Sequence, residues 1–443
     1  MSRHITSFSL ARKLFFAGCL SVLLAPAAFA QRNNDGSIYS RYGLGELRAF
    51  PSAQLQAMGG GGTSVLSYTY VNLTNPATWA DQILTRFSAG VLYQGVQATD
   101  ASNDVSRLTE GTLNAFQFSF PIGSKVGVAL GYEPYSRVSY RVQRDGALPP
   151  DPVLGDTSHF ILNLEGSGGL QRFVGGVGYR INRNISVGAD ANIIFGILED
   201  ARRTDFTGGT FRESYLSTST RLAGVTGTLG GIVTLPQLAS ENDVFTVGAA
   251  FTLPATLSGS RVRTLSPNDR TPGDTLETKV PDGSVKLPWG VRAGAAYSYD
   301  QRWLLVVDGQ YQPWSNFSSD FSFAGYDPGG VSTFRDRIRA SAGLEFLPAG
   351  TDLVRPFLAR VAYRLGAYYD RSYVSPIAGV DLHTVALTAG LGIPLFNPGT
   401  RLDLGFEIGT RGQTDQNLVR DTFYRISASV NFGERWFQRR RLR

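Results

Sequence analysis

Residues 184–198 read NISVGADANIIFGIL, with Ile185, Val187, Ala189, Ala191, Ile193, Phe195 and Ile197 at odd positions and Ser186, Gly188, Asp190 and Asn192 between them. Successive side chains of a strand point to opposite faces, so a period of two predicts one apolar and one polar face. The pattern returns along the chain. In residues 357–369, Phe357, Ala359, Val361, Tyr363, Leu365, Ala367 and Tyr369 share a face, and Arg360 and Arg364 fall between them. Residues 401–409 set Leu402, Leu404, Phe406 and Ile408 against Asp403 and Glu407, and residues 421–432 set Tyr424, Ile426, Ala428, Val430 and Phe432 against Arg425, Ser427, Ser429 and Asn431.

A soluble β-sandwich alternates too, but its strands are usually about 5 to 6 residues long. Here the alternating segments run to about a dozen residues or more, roughly what a tilted membrane-crossing strand needs. Connections alternate between short turns (near residues 122–124, 182–183, 236–242, 300–301, 348–355 and 397–399) and longer loops. Fourteen strands follow between residues 83 and 433, the third over 125–143, the seventh over 243–259, the ninth over 302–317 and the eleventh over 356–370. The expectation is an all-β chain forming a 14-stranded antiparallel up-and-down transmembrane β-barrel, with short periplasmic turns and both chain ends on the periplasmic side. Tyr424 and Phe432 lie eight residues apart on the outward face, which is roughly 26 Å along the strand and about 20 Å of depth after tilt. That suits an apolar band about 25 Å tall with aromatic girdles.

The N-terminus agrees with export. Arg3, Arg12 and Lys13 precede an apolar run over residues 14–25 and an Ala28-Phe29-Ala30 cleavage site, so residues 1–30 read as a signal peptide. Phe16-Ala17-Gly18-Cys19 resembles a lipoprotein box, but the apolar run continues past Cys19 to the better cleavage site. Cleavage would remove the only cysteine, leaving neither thiol chemistry nor disulfides. Three basic and no acidic residues would leave with it, lowering the net charge from +6 to +3, with arginines crowded in a tail over 434–443. That excess does not argue for nucleic acid. Past the signal no run approaches the ~18 apolar residues of a membrane helix.

Turning the apolar faces to lipid places Arg86, Arg172, Arg180, Arg337, Arg339, Glu345, Arg360, Arg364, Asp403, Glu407 and Arg425 in the lumen. Before residue 83 the alternation disappears. Residues 31–82 are aromatic and glycine-rich, with a short helix expected over 52–58, too few to bury a core alone and too apolar for a disordered tail. The barrel interior is their natural place, as a hatch. Within it Met58, Gly59, Gly60, Gly61 and Gly62 lack the lysine of a phosphate-binding loop, so close packing is the better reading of these glycines. Asn75-Pro76, followed by Trp79, ends the hatch, because proline turns the preceding residue away from helix.

Ala57-Met58-Gly59-Gly60 with Asn75-Pro76-Ala77, Leu287-Pro288-Trp289-Gly290-Val291, Trp303-Leu304-Leu305-Val306-Val307-Asp308 and Trp314-Ser315 resemble signatures of the outer-membrane long-chain fatty-acid transporter (FadL-like) superfamily. The resemblance implies a Gram-negative outer-membrane location and a monomeric barrel containing an N-terminal hatch. It also implies passive uptake of hydrophobic, fatty-acid-like molecules, with sideways exit at a kink in the third strand. Gly131 and Pro134 stand in the middle of that strand here, and proline is confined to edges and breaks of sheets. A ligand carboxylate leaving water needs a cation, for which Arg360 and Arg364 are the candidates. The ending around Glu434-Arg435-Trp436-Phe437 looks like a branch without assigned substrate. The alternative is therefore a non-transporting barrel that anchors or assists a secretion or surface-attachment machine. Partners expected are membrane lipids, a hydrophobic ligand, and the outer-membrane assembly machinery, which would read Phe432 or Phe437. No catalytic group, cofactor or metal site is expected: His159 and His383 lie far apart, and no serine is placed as a nucleophile.

Overall fold

The computed structural model describes residues 36–48, 52–67, 69–148, 159–207, 211–267, 275–395 and 399–436. The expected signal peptide, the lipoprotein-like box and the arginine-rich end beyond Trp436 lie outside the described residues. The wall is a closed antiparallel barrel of fourteen spanning strands. These are β1 Thr85–Thr99, β2 Val105–Ile122, β3 (in three pieces, Val126–Pro134, Ser136–Arg137 and Tyr140–Ala147), β4 His159–Arg180, β5 Ile185–Thr207, β6 Ser214–Pro236 and β7 (Asp243–Thr252 and Ala255–Ser266). They continue with β8 (Leu276–Leu287 and Gly290–Tyr299), β9 Trp303–Gln312, β10 Arg337–Phe346, β11 Ala362–Arg371, β12 His383–Pro394, β13 Arg401–Arg411 and β14 Arg420–Glu434. The first and last strands pair from Thr85↔Glu434 to Thr99↔Arg420, which removes the open edge of the sheet.

Alternation works as the sequence predicts. In β5, Ile185, Val187, Ile193, Phe195 and Ile197 face outward, while Ser186 and Asn192 are buried inside. Strand ends follow the prolines. β9 stops at Gln312 before Pro313, and β7 is interrupted at Leu253-Pro254. The expected eleventh strand over 356–370 begins six residues later: Phe357–Arg360 is a 3-10 turn after Pro356, and the wall resumes at Ala362.

One seam of the wall is incomplete. β2 and β3 pair only from Phe116↔Tyr132 to Ile122↔Val126, although β2 continues outward to Val105. The cause is local. Tyr135 donates its N–H to Leu170 on β4 (2.9 Å), so the alternating backbone would aim the N–H of the preceding residue at β2. That residue is Pro134, which has none. Opposite it, β2 bulges at Asn114, because Gly90 pairs with Ala115 and Val91 with Leu113. Beyond the break, Ser136–Arg137 turns to pair with Glu46–Leu47 of the N-terminal segment.

Candidate functional site

The candidate site is the barrel interior, where residues 36–82 meet the inward faces of the strands. Ser52 accepts from Leu55 N–H (3.2 Å) to start a helix over Ala53–Ala57. Gly59 and Gly60 end it with positive φ, Gly60 N–H reaching back to Leu55 O at 2.8 Å. Gly61 and Gly62 serve contact instead, since a Cβ there would meet Asp308 Oδ2 and Leu55 Cδ2 at 2.6 and 2.8 Å.

Asn75 organises the second half. Its side-chain amide donates to Thr63 O (2.8 Å), Gly231 O (3.2 Å) and Ala249 O (3.3 Å), and its Oδ1 accepts from Ala77 N–H (3.0 Å), capping the 3-10 turn Pro76–Asp81. Pro76 opens that turn where no N–H is needed. Trp79, fully buried, donates its indole N–H to Asn72 O (2.6 Å) and packs with Val71, Leu73, Ala129 and Val174. Asn75→Ala removes a cap and the amide that ties Thr63 O to the wall carbonyls of Gly231 and Ala249, and is expected to lower unfolding stability by about 2 kcal/mol. Urea unfolding of the folded barrel measures this.

The wall receives this turn on a row of glycines in register. Gly127, Gly178, Gly188 and Gly230 are cross-strand partners on β3, β4, β5 and β6. A Cβ on them would come within 1.8 Å of Trp79 O, 2.6 Å of Ala80 N, 2.4 Å of Pro76 C and 2.0 Å of Asn75 Oδ1. On the far side the paired Gly343 and Gly366 make the same room for Met58 and Gly59. Sequence reasoning missed this seat. The residues are scattered along the chain, and only strand register joins them.

Charged groups complete the fastening. Arg364 is fully buried between Glu345 and Asp403, each at 2.6 Å. Arg425 binds Glu407 (2.8 Å) and Gln94 (2.6 Å) on the wall, and Glu46 (2.7 Å) from the N-terminal segment. Arg411 also holds Glu46, at 2.8 Å. Burial alone would raise the Glu46 pKa, but the guanidiniums of Arg411, Arg48 and Arg425 override it and hold the carboxyl well below its usual range. Gln56 donates to Glu407 (2.8 Å), Thr63 N–H to Asp308 (2.8 Å) and Arg339 to Gly59 O (3.0 Å). Arg337 and Arg339 share Asp370 (2.6 and 3.1 Å), Arg172 pairs with Glu133, and Arg180 pairs with Asp81.

The two expected ligand cations are not brought together. Arg364 lies in β11 with both carboxylates in place, whereas Arg360 belongs to the 3-10 turn below the wall. Gly131 sits in regular ladders with Gln117 and Val174, and its missing Cβ leaves room for Leu73. The ladder to β4 runs on to Pro134, and that to β2 ends at Tyr132. Among the described residues no group of three or more His, Cys, Asp or Glu could hold a metal. His383 instead meets the Tyr369 hydroxyl through Nδ1 (2.6 Å).

Two small cavities open among the described residues of the interior. A cavity of about 50 Å³ is bordered by Glu46, Arg48, Arg337, Arg411 and Arg425. Another of about 40 Å³ lies beside Pro134 and Asn114 with Arg172, Arg292 and Asp308. At about 10–15 Å³ per water centre, each takes a few waters. The outer half of the lumen holds an apolar cluster that includes Tyr39, Leu44, Leu170, Leu222, Leu257 and Phe334. There Trp314 stacks on Tyr373 (4.3 Å) and Phe317 meets Phe334 edge-on (5.2 Å). Here the chain's own rings pack on one another.

The fold is that of FadL-type barrels. The chain is similar to a structure described as the CymD monoaromatic hydrocarbon channel (15% identity, 90% of this chain and 100% of that one, TM-score 0.55). It is likewise similar to the toluene transporter TbuX of Ralstonia pickettii (14%, 87% and 99%, 0.56) and to a FadL homologue of Pseudomonas aeruginosa (13%, 87% and 99%, 0.58). No curated protein matches the sequence. The family model described as BamG matches residues 11–443, nearly the whole chain. The chain therefore belongs to the BamG family.

Proposed function

We propose that this barrel is a plugged scaffold of the Gram-negative outer membrane, an accessory of the outer-membrane assembly machinery rather than a conduit. The observation that carries this reading is the filled lumen: residues 36–82 seated on glycines, tied by Arg425, Arg411 and Arg339, with cavities of about 50 and 40 Å³. The family name points toward outer-membrane assembly. In this reading residues 31–82 are a permanent plug, residues 83–433 the wall and 434–443 a periplasmic tail, and the protein is no enzyme. The test is affinity isolation of the full-length protein, tagged at its chromosomal locus, in mild detergent. Assembly-machinery subunits should come with it in fixed ratio; a lone barrel carrying extractable hydrophobic ligand would sink the proposal.

A second reading, passive uptake of fatty-acid-like molecules with sideways exit at β3, has its own support. The β2–β3 ladder ends at Phe116↔Tyr132, two residues short of Pro134, which borders the cavity of about 40 Å³, and chains of similar fold are described as hydrocarbon channels and toluene transporters. Gly131 and Pro134 would then frame the opening. Arg364 would have to exchange Glu345 or Asp403 for the ligand carboxylate. Under uptake, Pro134→Ala should change the rate at which cells take up a labelled fatty acid; under the scaffold reading it should leave that rate at background.

A further inference from the structure

The turns at the periplasmic end are mostly short and polar, such as Gly123-Ser124-Lys125 and Asn182-Arg183-Asn184. The β10–β11 connection, residues 347–361, departs from this. It exposes Leu353 (71%), Val354 (93%), Phe357 (51%) and Leu358 (69%). It is also a built structure rather than a slack loop. Ala349 N–H closes its base on Ala359 O (2.7 Å) and Leu347 N–H bonds to Arg302 O (2.7 Å). Asp352 accepts from Val354 N–H (2.9 Å) and from Arg355 Nε (3.2 Å), fixing the tip. A folded loop that holds four apolar side chains away from its own core needs an apolar surrounding, since exposed apolar area costs about 25 cal/mol per Å² in water.

The strands it leaves from say what that surrounding is. Phe346 and Tyr363, which flank the loop, are cross-strand partners, and Phe346 also pairs and stacks with Trp303 (4.1 Å). Trp303, Phe346 and Tyr363 thus form an aromatic row on the outward face, at the periplasmic edge of the lipid-facing band, where barrels carry a girdle. The Tyr363 hydroxyl donates to Leu358 O (3.1 Å), tying the 3-10 turn Phe357–Arg360 to that row. Arg355 flanks the apolar tip and Arg302 its base, both exposed, paired with Asp352 (3.2 Å) and Asp300 (3.3 Å).

We propose that residues 353–358 form an interfacial foot that dips into the periplasmic leaflet, its apolar side chains among the upper acyl chains and the Asp352–Arg355 pair at the headgroup level. The inference rests on the barrel's membrane setting and not on its role as scaffold or channel. The chain's one native cysteine, Cys19, is in the expected signal peptide, so single cysteines can be placed in the mature protein. Val354→Cys and, separately, Leu353→Cys are labelled with an environment-sensitive fluorophore, and the full mature chain is reconstituted in phosphatidylethanolamine–phosphatidylglycerol vesicles. Expected is a blue-shifted, severalfold brighter emission than from label at Ser124→Cys, with selective quenching by lipids carrying a nitroxide near the headgroup. Emission from both sites as red-shifted and as open to aqueous quencher as at Ser124 overturns the proposal. So does shielding seen only in native membranes and not in vesicles, which would mean that a protein covers the loop.

Discussion

Replacing Arg364 with methionine is expected to lower the unfolding stability of the barrel by about 3–5 kcal/mol, the usual cost of stranding buried charges. Arg364 is fully enclosed and bonds Glu345 and Asp403 at 2.6 Å each. Asp403 is itself completely buried, and besides Arg364 it accepts from Asn431 (2.8 Å). Without the guanidinium, two carboxylates face each other across β10, β11 and β13 with no nearby cation in equally good geometry; Arg401 stands 3.7 Å from Asp403. The loss should therefore exceed that of any exposed pair, such as Arg355–Asp352, for which about 0–1 kcal/mol is normal. The control is to replace all three members together, with Glu345→Gln, Arg364→Met and Asp403→Asn. Removing the charges as a set should restore most of the loss, because the penalty comes from unpaired charge. Urea unfolding in vesicles, followed by the heat-dependent gel shift of the barrel, measures both variants.

Gly188→Val should have the second large effect, and on a different observable. A Cβ at Gly188 would lie 2.4 Å from Pro76 C, 2.5 Å from Pro76 O and 2.6 Å from Ala77 N, all backbone atoms of a turn fixed by Asn75. Overpacking typically costs about 1–3 kcal/mol when side chains can yield. Here the yielding element must be the turn itself. The expected outcome is a closed barrel in which residues 36–82 have left their seat, read as rapid protease cleavage in that segment while the strands stay protected. Gly231→Val is the matched control: nothing lies within 4 Å of a Cβ there, although the residue is adjacent in sequence to Gly230 of the seat. Its protease pattern should equal that of the unmodified protein.

The barrel was legible because a period of two is local information. Ile185 to Ile197 announces its outward face without knowledge of any neighbour, and repetition supplies the strand number. Proline made boundaries legible only in part. Phe357, Ala359 and Val361 continue the alternation of Tyr363 to Tyr369, and nothing local says that the segment after Pro356 curls into a 3-10 turn, with Arg360 in it, instead of extending the wall. The interior was legible as types of residue. Arg364, Asp403, Glu407 and Arg425 stand on the expected face, but which carboxylate meets which guanidinium depends on register between strands. The glycine seat lay beyond reach for the same reason, since Gly127, Gly178, Gly188 and Gly230 become neighbours only after four strands align. The seam at β3 was half visible: Pro134 marks it, whereas the partner bulge at Asn114 has no signature in sequence.

If the chain itself closes the lumen, as proposed, the barrel carries no hydrophobic traffic. Uptake of a radiolabelled fatty acid and of toluene by Gram-negative cells lacking their own channels tests it most directly, with surface expression verified and a FadL-type transporter as positive control. Cells making this protein should take up both compounds at the rate of cells carrying an empty vector. Protein-dependent uptake that changes with Pro134→Ala would contradict the account and establish the conduit instead.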